Sequence, residues 1–198
     1  MRGMALGVCL ALSFLGGCGG GPTSRYVMWE DTPPASADEA VENARRFLTQ
    51  KPNWKIDCSH FVLACYHSGP MNRFLNHQNG HYNLTRDLNT YLTELKTRRA
   101  MAKDIRPGDI LIFDKTYDSN HDGHIDEKDV MTHTGIVEYA DNGLIVYIDA
   151  SDDRHPPRLH RRRFSFFDDR INEVVATDPA THRKIRARET FRAAFSVH

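Results

Sequence analysis

The chain has no surplus of charge of either sign. Its 198 residues carry 26 basic and 26 acidic side chains, which excludes the basic domain that nucleic acid usually calls for; no nucleic-acid partner is expected. Long apolar runs are also missing. The one continuous stretch, Met4 to Leu15, is too short to span a bilayer as a helix. With Arg2 ahead of it, it reads as the apolar core of an export signal. There is no internal repeat, and cysteine is scarce, with Cys9, Cys18, Cys58 and Cys65 making up the four. What the chain does have is length enough for one domain with a sizeable core, and 11 histidines.

The apolar run ends in Leu15-Gly16-Gly17-Cys18. This resembles the bacterial lipobox, in which small residues precede a Cys that is lipidated and becomes the new N-terminus. The resemblance implies a lipoprotein signal peptide over residues 1–17, a lipid on Cys18 and a chain anchored to the bacterial cell envelope. Gly19 stands where an Asp would resemble an inner-membrane retention signal, so outer-membrane anchoring facing the periplasm is expected. The following stretch is rich in Gly, Pro, Ser and Thr, and 18–35 reads as a tether. Residues 36–198 then form a single domain, expected as a monomer. Cys58 and Cys65 are the cysteines left in it. Seven residues apart on one helix, their Cα atoms would lie roughly 10 Å from each other, and a disulfide needs about 4.4–6.8 Å. Two unpaired thiols in an exported domain invite a chemical explanation for at least one.

Along the domain, Ser36-Ala37-Asp38-Glu39 is a capping-box pattern that predicts a helix over Ala40 to Leu48. A second helix is expected from Cys58 to about His67. Leu84, Leu88, Leu92 and Leu95 recur at helical spacing and predict a third. Arg106-Pro107-Gly108-Asp109 is a turn into the strand Ile110 to Phe113. Two more strands are expected near Thr132–Tyr139 and Leu144–Ile148. Helices first and strands after argue for an α+β domain. Ile185 to Phe195 is compatible with a closing helix or a strand.

Cys58 precedes the apolar stretch Phe61-Val62-Leu63-Ala64. A cysteine at a helix N-terminus faces unpaired N–H groups and the positive end of the dipole, which favours thiolate. Cys65 sits at the opposite end among apolar neighbours, the place of a structural thiol. The local sequence alone balances a nucleophile at Cys58 against a buried core cysteine. Asp57-Cys58-Ser59-His60-Phe61-Val62 resembles the D-C-S-G-F-V segment of the NlpC-type cell-wall peptidases, a branch of the papain-like superfamily. Pro107-Gly108-Asp109-Ile110-Leu111-Ile112-Phe113 resembles the P-G-D-L-V-F-F segment that follows it there. His133-Thr134-Gly135-Ile136-Val137 resembles the H-V-G-I-Y strand, and Ile148-Asp149-Ala150-Ser151 falls where that family has I-H-A-S. The four segments run in the family's order across roughly residues 36–152.

The resemblance implies a papain-like α+β fold with helices packed on a small antiparallel sheet. It implies Cys58 as nucleophile, His133 as base and Asp149 as the orienting third member, although the family more often has His there. His60 replaces a Gly. The implied substrate is a peptidoglycan stem peptide, cut at an amide between D-Glu and a diamino acid. Two alternatives stay open. One is a related amidase or acyltransferase on another envelope substrate. The other is a non-catalytic, calcium-stabilised wall-binding lipoprotein.

Residues 118–129 resemble the twelve-residue calcium loop of EF-hand and dockerin-like modules. Asp118, Asn120, Asp122, Asp126 and Asp129 fall at its side-chain ligand positions, His124 would supply a backbone carbonyl, and Gly123 takes the obligatory turn. Asp129 stands where Glu is usual. Structural calcium is the expected cofactor, with no organic cofactor; a zinc site at His121 and His124 fits the oxygen-rich pattern less well. Arg158, Arg161, Arg162 and Arg163, with His155 and His160, read as a solvated basic loop, and His67, His77 and His81 as loop residues. For His133 and Asp149 to share a sheet face, the register requires an odd-length turn. Asp141-Asn142-Gly143 as a three-residue turn, with positive φ at Gly143, satisfies that.

Overall fold

The computed structural model describes residues 34–50, 57–67, 84–151 and 158–197. The expected signal peptide, the lipidation site Cys18, most of the tether, and His77, His81 and His155 lie outside the described residues. Helix α1 (Ala37–Gln50) opens on the reciprocal cap that the sequence predicts. Ser36 N donates to Glu39 Oε2 at 2.8 Å, and Glu39 N donates to Ser36 Oγ at 3.3 Å, which satisfies two N–H groups that a helix end leaves unpaired. Its buried stripe is Ala40, Val41, Ala44 and Phe47. Helix α2 (Cys58–Tyr66) starts where Asp57 accepts from His60 N and stops at His67, which adopts φ 49° and donates to Leu63 O. Most of α2 is buried, as expected of a helix apolar on nearly every side. In α3 (Leu84–Glu94), Leu88 and Leu92 are fully buried, and Leu95 just beyond it is exposed.

The strands are β1 (Ile110–Phe113), β2 (His133–Asp141), β3 (Leu144–Ser151), β4 (Arg158–Ser165), β5 (Val174–Thr177), β6 (Lys184–Arg186) and, after the single turn α4 (Ala187–Thr190), β7 (Phe191–Phe195). Five of them form an antiparallel sheet in the order β4-β3-β2-β1-β7, and β5 pairs with β6 separately. The closing segment is thus a strand, a helical turn and a strand. The architecture is α+β. Strand β1 is buried along its whole length because both sheet faces are covered. Ile110 and Ile112 pack with Phe61, Leu88 and Ile148 under the helices. Leu111 and Phe113 pack on the other side with Tyr147, Phe164 and Ala187. Each Leu, Ile or Phe side chain among these contributes about 1.5–3 kcal/mol when removed from water. Among the described residues no helix is long and apolar enough to cross a membrane.

Two expectations fail here. The basic run is not a solvated loop: residues 158–163 lie in β4, paired along the whole of β3. The β2–β3 turn is not the three-residue one. Asp141 pairs with Leu144, so Asn142 and Gly143 form a two-residue turn, with φ of 41° and 79°. Positive φ at both positions is the turn whose twist matches a hairpin. Gly143 is positive as expected, and the Phe167 ring occupies the place of its missing Cβ.

That turn alone would set Asp149 opposite Ile136, on the wrong face. The register shifts between Val137 and Tyr139, which leaves Glu138 as a bulge. An extra residue in one strand re-aims everything beyond it. Beyond the bulge Gly135 pairs with Asp149, and His133 and Asp149 share a face. The Glu138 carboxylate accepts from Arg45 of α1 at 2.9 Å and from Arg161 of β4 at 2.5 and 2.8 Å, so three elements converge on the bulge.

Candidate active site

Cys58 is the first residue of α2, and its N–H has no hydrogen-bond partner among the described residues. Its Sγ lies 3.6 Å from Thr85 Oγ1 and 4.0 Å from Ser59 Oγ, and those two hydroxyls are 3.0 Å apart. Thr85 enters from the first turn of α3. The leucine spacing marks that helix, but it carries no sign that the residue beside Leu84 meets the thiol.

His133 opens β2. Its Nε2 is 2.8 Å from Asp149 Oδ2, which leaves Nδ1 as the nitrogen available to the thiol. Gly135, directly opposite Asp149, makes this diagonal approach possible. A Cβ there would come within 2.9 Å of Ile148 O, 3.0 Å of the Tyr147 ring and 3.3 Å of Asp149 Cβ. The Asp149 side chain is 1% exposed and that of His133 13%.

The electrostatics couple these groups. Burial alone would raise the Cys58 thiol. The charge and hydrogen-bonding of His133 outweigh it, with help from Thr85 and against Asp57, and the thiol is held below its ordinary range. Burial likewise works against the imidazolium, but Cys58 and Asp149 together raise His133 well above its ordinary value. Each shift favours the charged form of its own group, thiolate at Cys58 and imidazolium at His133. Cys65 has no such partner: burial pushes its thiol well up, against weak help from Arg46. Both cysteines are free.

The three side chains line one cavity of about 460 Å³, together with Thr85, Tyr117 and Arg162. Tyr117 is raised by burial and by the nearby Cys58 charge. Arg162 donates from Nε to Asp149 Oδ2 at 3.2 Å and from Nη2 to Ser151 Oγ at 3.0 Å. A run of arginines gives no hint of which one turns inward; only the pairing of Arg162 with Tyr147 does. His60 does not join the centre. Its Nδ1 lies 2.7 Å from Asp57 Oδ2, and the two share the start of α2.

The 118–129 segment lies between β1 and β2 and folds as a chain of side-chain caps. Asp118 accepts from Asp122 N and Gly123 N, Asn120 from Asp122 N, Asp122 from His124 N, and Asp126 from Lys128 N. Asp129 is buried and accepts from Ser119 and Asp126. Lys128 Nζ reaches Asp122 at 2.9 Å and Asp126 at 3.5 Å. Gly123 takes φ 90° in open space. Among the described residues no three or more His, Cys, Asp or Glu side chains are gathered as a metal centre. The segment is tied to the body by Lys115 N to Asp129 O, Ile125 N to Asp178 and Thr116 N to Thr132 Oγ1. The Ile125 N–H and Thr181 hold the Asp178 carboxyl well below the usual range.

No family model, curated protein or solved structure matches this chain.

Proposed function

We propose that the chain is an envelope-anchored cysteine hydrolase of the NlpC type, with a papain-like fold, that cleaves an amide bond in peptidoglycan stem peptides. The observation that carries this reading is the Cys58 thiol at the start of a buried helix, electrostatically coupled to His133, whose far nitrogen is held by Asp149. Nucleophile, base and orienting group in that relation are the parts that acyl transfer requires.

The Cys58 thiolate attacks the amide carbonyl carbon, a C–S bond forms, and the carbonyl electrons move onto oxygen. The unpaired Cys58 N–H is the donor for that oxyanion. His133 delivers its proton to the amide nitrogen as the C–N bond breaks and the amine leaves. A water then attacks the thioester and gives a proton to His133. The C–S bond breaks, which restores the thiolate and releases a carboxylic acid that loses its proton to solvent. Asp149 keeps the imidazole turned so that Nδ1 serves the sulfur.

Calcium at 118–129 and a lipid on Cys18 belong to the same reading. Asp118, Asn120, Asp122, the His124 carbonyl, Asp126 and Asp129 would offer an all-oxygen donor set, which suits a hard cation, once their side chains turn from the backbone N–H groups and the Lys128 ammonium that they accept from here. The bound ion would supply a cross-link within the segment that leads from β1 to the His133 strand. Millimolar calcium should then raise the melting temperature, and Asp122→Ala should abolish that rise, because a ligand of the folded state alone stabilises it. Identical melting curves in calcium and in chelator would remove the ion from the reading.

The test of the activity is digestion of purified peptidoglycan with the full-length chain, followed by fragment masses. New amine and carboxylate ends, absent with Cys58→Ala, are the expected result. Undigested sacculi that retain the bound protein would leave the wall-binding alternative.

A further inference from the structure

Of the ionisable side chains that line the cleft beside the three-residue centre, Asp57, Tyr117 and Arg162, Arg162 is the one paired with Asp149. Arg162 is 14% exposed and Asp149 1%, whereas its strand neighbours Arg161 and Arg163 are 52% and 62% exposed and pair with Glu138 and Glu173. Taking a guanidinium out of water is costly unless it is paired. Its pairing here is specific: Nε on Asp149 and Nη2 on Ser151, two residues of β3 that share one face.

We propose that Arg162 is a positioning residue for the Cys58–His133–Asp149 centre, clamping the Asp149 carboxylate so that Oδ2 stays turned to His133 while offsetting the carboxylate's charge. The role rests on the hydrolase reading; the geometry does not. Asp149 Oδ1 is buried and has no hydrogen-bond partner among the described residues. The carboxylate's orientation is therefore set wholly at Oδ2, which accepts from both His133 and Arg162. A single bond to an imidazole leaves a carboxylate free to pivot. A second donor, fixed at its other end to Ser151, removes that freedom, and only the rigid guanidinium fork supplies both contacts. The charged and titratable groups around His133 are Cys58 of α2 and its cap residue Asp57, Asp149 of β3, Arg162 of β4 and Tyr117 before the 118–129 segment; His160 stands opposite Asp149 on β4. Arg162 is the fixed positive charge among them, and it leaves Asp149 less dependent on the imidazolium that Cys58 also uses.

The test needs no substrate. In the full-length chain carrying Cys58→Ala, the His133 ring is titrated by NMR, its signal assigned by loss in His133→Gln. Adding Arg162→Met should raise the midpoint by about one pH unit, the size of effect a lost neighbouring positive charge exerts. Arg162→Lys keeps the charge and should leave the midpoint near its parent. With Cys58 restored, alkylation by iodoacetamide at neutral pH should slow in both variants, because Lys cannot hold Asp149 at two points. An unmoved midpoint in folded Arg162→Met overturns the proposal. If Arg162→Met does not fold, Arg162→Lys decides: parental alkylation overturns it, and slowed alkylation at an unmoved midpoint supports it. A chain that shows these shifts yet cuts no peptidoglycan keeps the clamp and loses the hydrolase; one that cuts without them does the reverse.

Discussion

The two ends of α2 carry the same functional group, shifted in opposite directions. Cys58 at the first position is half-buried against the cleft and Cys65 near the last is fully buried, and burial pushes both thiols up. Only at the N-terminal end does a compensating charge arrive: His133 from β2 with Asp149 behind it, and the Thr85 hydroxyl from α3. Cys65 meets the apolar packing between the helices and the sheet. Burial by itself makes a thiol inert; burial beside a paired cation makes it reactive where, as at Cys58, the pairing outweighs the penalty on the bare charge.

The comparison breaks most sharply at Cys58 itself. Cys58→Ala should abolish turnover, a loss of at least about 10³-fold, and remove the fast-alkylating thiol while the melting temperature stays close to that of the parent. Rapid alkylation by the variant, with Cys65 as its site on peptide mapping, would reverse the two roles. His133→Gln comes next, since it turns the Cys58 end into a second Cys65 end. Turnover should fall by about 10²–10⁴-fold, the usual range for a positioned general base, and Cys58 alkylation at neutral pH should drop towards the Cys65 rate.

The pH dependence should be a broad plateau. Cys58 is depressed, so the thiolate is present above its folded-state pKa and is lost as pH falls through it. His133 is raised, so the imidazolium is lost as pH rises through its own. Stability from the pair should fade in the same two directions. Cys65, raised by burial, should alkylate only at strongly alkaline pH; a shared profile for both thiols would erase the distinction. The smallest effect is Cys65→Ala, which should cost about 1–2 kcal/mol in a denaturant titration for a small buried group and leave turnover unchanged.

What the sequence by itself determined is what neighbouring residues can satisfy among themselves. The Ser36–Glu39 cap, the Asp57 start of α2, the leucine stripe of α3 as far as Leu92 and the fully apolar β1 all follow from bonds or periodicities within one element. The order of Cys58, His133 and Asp149 along the chain was legible too, through short segments that resemble a known family. The tertiary structure decided whether those three side chains meet. A two-residue turn alone would have pointed Asp149 away from His133; the bulge at Glu138 turned it back, and Glu138 answers to Arg45 and Arg161, 93 and 23 residues distant. Thr85 and Arg162 were invisible for the same reason. Each acquires its place from pairing or packing with an element remote in the chain, and no local periodicity encodes which of four arginines faces a carboxylate across a sheet.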